Sequence, residues 1–227
     1  MAINVYVRQL PLWFQAIQGV SPETSGIRYL AMVIALVVTV FLGGFGVTKL
    51  GYYQPFMLAG TVLLSVGSGL LSTLTPSSGT AQWLPYQVLA GLGIGISTQQ
   101  PAIAVQSTLP PADVNIAIAV VLFAQCFGPT VFITVAQAVF ASRLSAGLAR
   151  SFPDLDFATV RDSGALQLRA LVAPEKLGVL LGIYNDALTR TYVVAAAMAA
   201  ATAFSVLGIG WNKIQLDGDG QKSDEER

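Results

Sequence analysis

The sequence contains no histidine and a single cysteine, Cys126. Ser-His-Asp and Cys-His catalysis are therefore excluded, because each needs an imidazole base. One thiol cannot form a disulfide within the chain, and zinc-type sites lack their usual nitrogen and sulfur ligands. We expect no metal, no cofactor and no enzymatic activity.

Charged residues are also scarce, at 11% of the chain, where soluble domains usually carry about 25%. Twelve basic residues balance twelve acidic ones, so no basic field would attract nucleic acid. Hydrophobic residues make up 54% of the sequence and the mean hydropathy is +0.65. A surface with so little charge cannot face water, and the predicted fold class is an all-α membrane protein.

Long uncharged runs predict five transmembrane helices. Residues 29–48 carry no charge, and twenty helical residues rise about 30 Å, the hydrocarbon thickness of a bilayer. The uncharged stretch that follows Lys49 is too long for one helix, and the turn-forming "TPSSGT" divides it. The predicted spans are about 29–48, 54–74, 83–109 and 114–142, all within residues 27–142, followed by a last span at 191–212.

The segments outside these spans receive other predictions. Residues 1–26 are typical of the last turns of a preceding helix and its loop. Residues 143–190 hold 11 of the 24 charged residues, with both signs interspersed, and predict a long extramembrane loop. Within it, residues 177–183 are apolar but too short to span, which predicts a short interfacial or re-entrant helix. The polar residues 213–227 predict a disordered tail.

The stretch "GFGVTKLGYYQPF" predicts a tight hairpin between the first two spans. Gly51 permits a positive φ, and Pro55 suits the first turn of the next helix. We expect Lys49 to contact lipid headgroups or a helix end. The alternative is an ordinary membrane hairpin with one snorkelling lysine.

Glycines inside the predicted spans indicate helix packing. Gly91 and Gly95, in "GLGIG", lie four residues apart on one helix face and allow a neighbouring helix to approach. A phosphate-binding loop is disfavoured, because no soluble strand precedes the motif and no lysine follows it. In "CFGPT", Gly128 and Pro129 predict a kink in the fourth span.

Several amide side chains fall within predicted spans. An amide in hydrocarbon is costly unless it is hydrogen-bonded, so each should face another helix or a wet cavity. Gln99, Gln100 and Pro101 are the best candidates for cavity lining, because Pro101 frees a backbone carbonyl one turn earlier. The alternative is that the amides only bond neighbouring helices. The amides are Gln87, Gln99, Gln100 and Gln106 in the third span and Gln125 and Gln137 in the fourth. The candidate substrate-path residues, called the path residues below, are Gln87, Gln99, Gln100, Pro101 and Gln125.

Several blocks together resemble one family. They are "LPLWFQAIQGVSPETSGIR", "GGFGVTKLGYY", "GYYQPFMLAG", "QWLPYQVLAGLGIG", "VQSTLPPADV" and "YNDALTRTY". In this order they resemble the fourteen-helix drug:proton antiporters of the major facilitator superfamily, in particular fungal efflux pumps for toxins and drugs. Gly44, Thr48, Lys49 and Gly51 lie in what resembles the second copy of that family's glycine–acidic–basic–glycine loop. Thr48 stands where an aspartate is usual, so the resemblance does not support a charge-relay role.

The resemblance implies that the chain corresponds to the last five helices of such a pump and the end of a sixth. It implies a plasma-membrane protein whose partners are the lipid bilayer, a hydrophobic small-molecule substrate and an N-terminal half or full-length transporter. In this family the acidic residues that carry the coupling proton lie mainly in that other half. The five predicted spans contain no Asp, Glu, Lys, Arg or His.

Orientation and function each leave an alternative. The resemblance places the Lys49 hairpin in the cytoplasm, whereas the six basic residues of 143–190 favour that segment inside. The first function hypothesis is a transporter fragment inactive by itself. The alternative is a non-transporting subunit or regulator of a full-length pump. An intramembrane enzyme would lack any acid, base or metal ligand in its spans.

Overall fold

The computed structural model describes residues 2–153, 155, 157–162 and 167–207. Within these ranges the chain is helical and contains no β-strand. The helices are α1 (Ala2–Ala16), α2 (Pro22–Leu50), α3 (Gln54–Leu71), α4 (Thr80–Thr98), α5 (Gln100–Thr108), α6 (Pro111–Ser151), α7 (Phe157–Asp162) and α8 (Pro174–Leu207), with a 3₁₀ turn at Leu168–Ala170.

Five membrane-length segments are present in the described part of the chain: α2, α3, α4 with α5, α6 and α8. The predicted all-α class with five spans is therefore confirmed.

The ends of α2 illustrate how local sequence sets a helix. The Ser21 hydroxyl accepts a hydrogen bond of 3.2 Å from the Thr24 amide, and Pro22 occupies the first turn. Gly51 ends the helix at φ 71°, with its N–H bonded to the Val47 carbonyl.

The third predicted span is divided in two, which corrects its description as one helix. Gln99 separates α4 from α5, and Pro101 lies in the first turn of α5. Proline has no N–H to donate to the carbonyl four residues earlier, and its ring crowds that carbonyl. The break therefore follows directly from Pro101.

The predicted long loop at 143–190 is wrong in its secondary structure. Helix α6 continues to Ser151, and α8 already begins at Pro174. Residues 177–183 are therefore part of the last long helix and not a separate short one. The two helices form a hairpin because leucines from both sides become buried together, Leu144 and Leu148 from α6 with Leu180 from α8.

The helix that holds the last predicted span consequently starts at Pro174, well before residue 191. Its predicted end at residue 212 and the predicted tail at 213–227 lie outside the described residues.

Helix α1 belongs to the core of the bundle. Tyr6, Leu10, Trp13 and Phe14 are all at most 1% exposed. The Tyr6 ring stacks on Tyr192 of α8 at a centroid distance of 5.8 Å. The segment predicted as a remnant therefore supplies large apolar side chains around which the longer helices pack.

The remaining helices pack in a simple pattern. Helix α4 lies between α2 and α3, α3 also contacts α8, and α8 pairs with α6. At one end, which we call the cap end, the α1–α2 and α3–α4 turns are joined by Gln18, which donates to the Ser78 carbonyl. Among the described residues between α6 and α8, Arg169 contacts the first of these turns, and Phe152, Val160 and Leu168 are buried. The opposite end carries the α2–α3 turn, and we call it the lysine end.

Candidate functional site

The α4–α5 break holds three of the predicted path residues. Gln100 is 1% exposed, and its Nε2 donates to the Ile96 carbonyl at 2.9 Å. Its Oε1 is buried without a partner in the described structure. Gln99 is exposed at the break itself, and Pro101 is half-buried. The backbone carbonyls near the break were expected to bind water or substrate. The Gln100 side chain already occupies one of them, the Ile96 carbonyl.

Gln87 lies on α4 thirteen residues before Gln100, about 20 Å along the helix at 1.5 Å per residue. It is fully buried, and neither its Oε1 nor its Nε2 has a hydrogen-bond partner in the described part of the protein. An unbonded buried amide is costly, typically about 1–3 kcal/mol. This amide is therefore a group with unused hydrogen-bonding capacity inside the bundle.

The predicted path residues do not converge on one cavity. Gln125 is exposed on α6 and Gln87 is enclosed, whereas the other three share the helix break. Helix α5 contacts α6, which brings the break and the face of α6 to the same side of the bundle. Two environments result, one exposed polar surface and one enclosed amide.

The hairpin at the lysine end has the geometry that its sequence predicted. Gly51 adopts the left-handed conformation, and Pro55 occupies the first turn of α3. The Lys49 ammonium lies 4.9 Å from the centroid of the Phe45 ring, in the last turn of α2. Thr48 donates to the Gly44 carbonyl at 3.0 Å. Lys49 thus offsets the negative end of the α2 dipole while remaining exposed.

Gly91 and Gly95 both face α2 in close contact. A β-carbon on Gly91 would lie 2.5 Å from the Met32 carbonyl oxygen, and one on Gly95 would overlap the Thr39 hydroxyl. Both positions therefore need glycine for the two backbones to approach. On α6, Gly128 is buried and Pro129 lies inside a continuous helical segment.

A second glycine contact joins α3 to α4, and sequence reasoning missed it. A β-carbon on Gly67 would lie 2.7 Å from the Ala90 amide nitrogen, and one on Gly60 would lie 3.0 Å from the Gly93 carbonyl. The seven-residue spacing of Gly60 and Gly67 was a usable signal, because it repeats on one helix face. Helix α4 therefore carries small residues on two faces.

Polar contacts at the cap end were also missed. Trp13 Nε1 donates to Asn185 Oδ1 at 2.7 Å, and Asn185 Nδ2 donates to the Leu74 carbonyl at 2.8 Å. One buried asparagine thereby joins α1, the α3–α4 turn and α8. The sequence offered no signal for this, because the donor and acceptor are 172 positions apart.

Two arginines close the turn between α1 and α2. The Arg28 guanidinium carbon lies 5.7 Å from the Phe14 ring centroid and 5.5 Å from that of Trp83, and the guanidinium also donates to Gln18. Arg169 of the cap donates to the Ile17 carbonyl at 2.6 Å. These cations serve as structural groups, held by rings and carbonyls.

No protein-family model matches the chain. The chain is 39% identical over 214 residues to the efflux pump roqT of Penicillium rubens, covering 94% of this chain and 40% of that pump. It is 41% identical over 210 residues to the efflux pump aunC of Aspergillus niger, covering 92% of this chain and 40% of the pump. It is 41% identical over 224 residues to the aspyridones efflux protein of Neocamarosporium betae, covering 98% of this chain and 39% of that protein.

Long apolar helices around a core without buried charge, in the described residues, define a multi-pass membrane protein of the helical-bundle class. The relatives specify it further. The chain belongs to the fungal efflux pumps of the major facilitator type, as a homologue of their C-terminal part. It spans about two fifths of the length of the curated relatives that it matches.

Proposed function

We propose that this chain forms the C-terminal helical bundle of an exporter of lipophilic toxins, drugs or secondary metabolites, driven by proton antiport at the plasma membrane. The observation that carries the proposal is the identity of 39–41% along nearly the whole chain to proteins named as efflux pumps. The fold agrees with it, since α4 and α5 form the broken type of helix found in transporters.

Alternating access needs a second bundle against which this one moves. Two faces of the chain are available for it. Phe41 and Phe45 of α2 are 73% and 62% exposed, and Phe123 and Phe127 of α6 are 66% and 57% exposed. We propose that the second bundle, from the same polypeptide or another, lies across the faces that carry these rings.

The path residues take different parts in this proposal. Gln99 and Gln125 are exposed and would contact substrate directly. Pro101 would maintain the break between α4 and α5. Gln87 and Gln100 are enclosed, and their unpaired amide atoms would become available when the bundles move. The hairpin of Gly44, Thr48, Lys49 and Gly51 would lie on the cytoplasmic side, where it contacts the second bundle during the movement.

Expression in a yeast strain lacking its own drug pumps tests the proposal. The chain would be expressed alone and together with the N-terminal part of roqT that the chain does not cover. We expect resistance to lipophilic drugs only from the pair, and a protonophore should abolish it. A green-fluorescent tag on the chain should mark the cell periphery.

Two results would contradict the proposal. Resistance from the chain alone would show that no second bundle is needed. Absence of resistance from a pair that reaches the plasma membrane and co-purifies would instead argue against export.

A further inference from the structure

The hairpin at the lysine end carries a cation with unused binding capacity. Lys49 is exposed, and its ammonium group lies 4.9 Å from the centroid of the Phe45 ring. It forms no ion pair within the described ranges of the chain, where the pair found joins Arg190 to Asp186 of α8. An ammonium group has three N–H donors, so Lys49 can still bind a carboxylate.

Two exposed apolar side chains lie beside this cation in the sequence. Leu50 is 59% exposed and Tyr52 is 36% exposed. Both belong to the end of α2 and the turn that follows it, so they accompany the charge at the end of the bundle. The hairpin therefore suits a peptide segment that carries both carboxylates and apolar side chains.

The C-terminal end of α8 is level with this hairpin. Asn185 of α8 donates to the Leu74 carbonyl, beyond the end of α3. The Ser65 hydroxyl of α3 donates to the Ala196 carbonyl at 3.3 Å, so the two helices run in opposite directions. From this contact α8 continues for eleven residues to Leu207, and α3 begins eleven residues before Ser65. Both lengths are about 16.5 Å at 1.5 Å per residue, which places the end of α8 at the lysine end.

The sequence that follows α8 is acidic. Residues 208–227, which we call the acidic segment, contain five carboxylates and three basic side chains. Two apolar residues, Ile214 and Leu216, precede all five carboxylates. Because the chain leaves α8 at the lysine end, the acidic segment starts on the side of the membrane that holds Lys49. Its carboxylates belong to Asp217, Asp219, Asp224, Glu225 and Glu226.

The acidic segment is long enough to reach the hairpin. Helix α3 contacts α8, and packed helices lie about 8–10 Å apart. Lys49 precedes the first residue of α3 by five positions, which span at most about 18 Å. Asp217, the first of the carboxylates, follows Leu207 by ten positions, which span up to about 33 Å. All five carboxylates are thus within reach, and a short tether keeps them at a high effective concentration.

We propose that the acidic segment docks on the hairpin at the lysine end and restrains it. The carboxylates bind the Lys49 ammonium group, and Ile214 and Leu216 cover Leu50 and Tyr52. A hairpin held in this way is less free to contact the second bundle, so docking inhibits transport. This last consequence rests on the proposed function, whereas the docking itself is measured in the chain alone.

Carbodiimide cross-linking tests the docking, because the reagent joins an amine to a carboxylate only where the two are in contact. The full chain would be reconstituted at one copy per phosphatidylcholine nanodisc, treated with the carbodiimide, digested and analysed by mass spectrometry. Lys176 is the matched control, since it is an exposed lysine near the start of α8, at the cap end. The bilayer separates Lys176 from the acidic segment.

We expect Lys49 to be joined to at least one of the five carboxylates, and Lys176 to none of them. Raising the NaCl concentration from about 50 mM to about 500 mM should lower the yield at Lys49 at least about threefold, because salt screens exposed charges. Hydrogen–deuterium exchange of residues 44–53 should become faster when the five carboxylates are replaced by their amides. Glu175→Gln, which changes an exposed carboxylate at the cap end, should leave this exchange unchanged.

Three results would overturn the docking. The first is no cross-link at Lys49 although an acetylating reagent still modifies its amine. The second is an equal yield at Lys49 and Lys176. The third is loss of the product in nanodiscs that contain phosphatidylserine, which would identify lipid headgroups as the ligand of Lys49. Unchanged exchange in the amide variant would overturn the restraint.

Export by the pair formed with the N-terminal part of roqT tests the inhibition. The amide variant should export at least about twofold faster, because the restrained population is released. An equal or slower rate would overturn the inhibition. A pair that exports nothing would contradict the proposed function, and the cross-link and the exchange would still decide the docking, so the two failures are distinguishable.

Discussion

The indole N–H of Trp13 donates a hydrogen bond of 2.7 Å to Asn185, although 172 positions separate the two residues. Asn185 is 7% exposed and also donates to the Leu74 carbonyl. Its amide therefore satisfies one buried donor and one buried acceptor at once. This contact unites the first helix, a turn and the last long helix at the cap end.

Asn185→Ala should destabilise the protein by about 2–4 kcal/mol, because it leaves both of those buried groups without a partner. The measurement is the midpoint of thermal unfolding in detergent, followed by size-exclusion chromatography of a fluorescent fusion. Asp186→Asn is the matched control, since it changes only the exposed neighbour of Asn185. An equal midpoint for both variants would contradict the role of Asn185.

Gly95→Ala should destabilise the α2–α4 contact by about 1–3 kcal/mol, the usual cost of overpacking. The new methyl group would overlap the Thr39 hydroxyl and the Leu36 carbonyl of α2. Gly69→Ala is the control, because nothing lies within 4 Å of a β-carbon there. It should be neutral or stabilising by up to about 1 kcal/mol, the helix-propensity difference. The same thermal assay separates the two, and a tolerated Gly95→Ala would disprove the close approach.

Gly51→Ala should cost about 1–2 kcal/mol, because a side chain in the left-handed conformation crowds the backbone. Gly51 ends α2 at φ 71°. Gly51→Asn should cost less, since asparagine tolerates this conformation better. The ranking glycine, asparagine, alanine in thermal midpoint is the expected result. A midpoint for alanine at or above that of asparagine would refute this explanation.

Pro101→Ala should make α4 and α5 continuous, because alanine supplies the N–H that proline lacks. Hydrogen–deuterium exchange in nanodiscs should slow for peptides covering residues 96–104. Pro55→Ala is the control: Pro55 lies in the first turn of α3, where its N–H would have no helical partner. If exchange around the break did not change, the break would be caused by tertiary packing and not by Pro101.

The features that could be predicted from the sequence depend on the charge and backbone properties of individual residues. Uncharged runs predicted the number of membrane-length segments, since charge is excluded from the bilayer wherever it occurs in the chain. Glycine and proline predicted the conformation at Gly51 and the start of α3 at Pro55, because both residues act through their own backbone. The candidate substrate-path residues remain predictions.

The features that could not be predicted depend on side chains that are buried by residues far away in the sequence. Residues 143–151 and 174–190 carry charges and were expected in a loop, yet they form the ends of α6 and α8. The Gly147 backbone lies against Ile183, and Leu144 and Leu148 are enclosed. Helix formation there depends on two segments burying each other's apolar side chains. The sequence of either segment alone does not show that this burial will occur.

The sequence by itself therefore determined that this is a membrane protein and how many membrane-length segments it has. Hydrophobicity and charge are properties of individual residues, and their order along the chain shows the uncharged runs. Only the tertiary structure decided that α1 lies in the core and that Asn185 joins three elements. These relationships depend on which faces of separate helices meet, and a one-dimensional pattern does not contain that information.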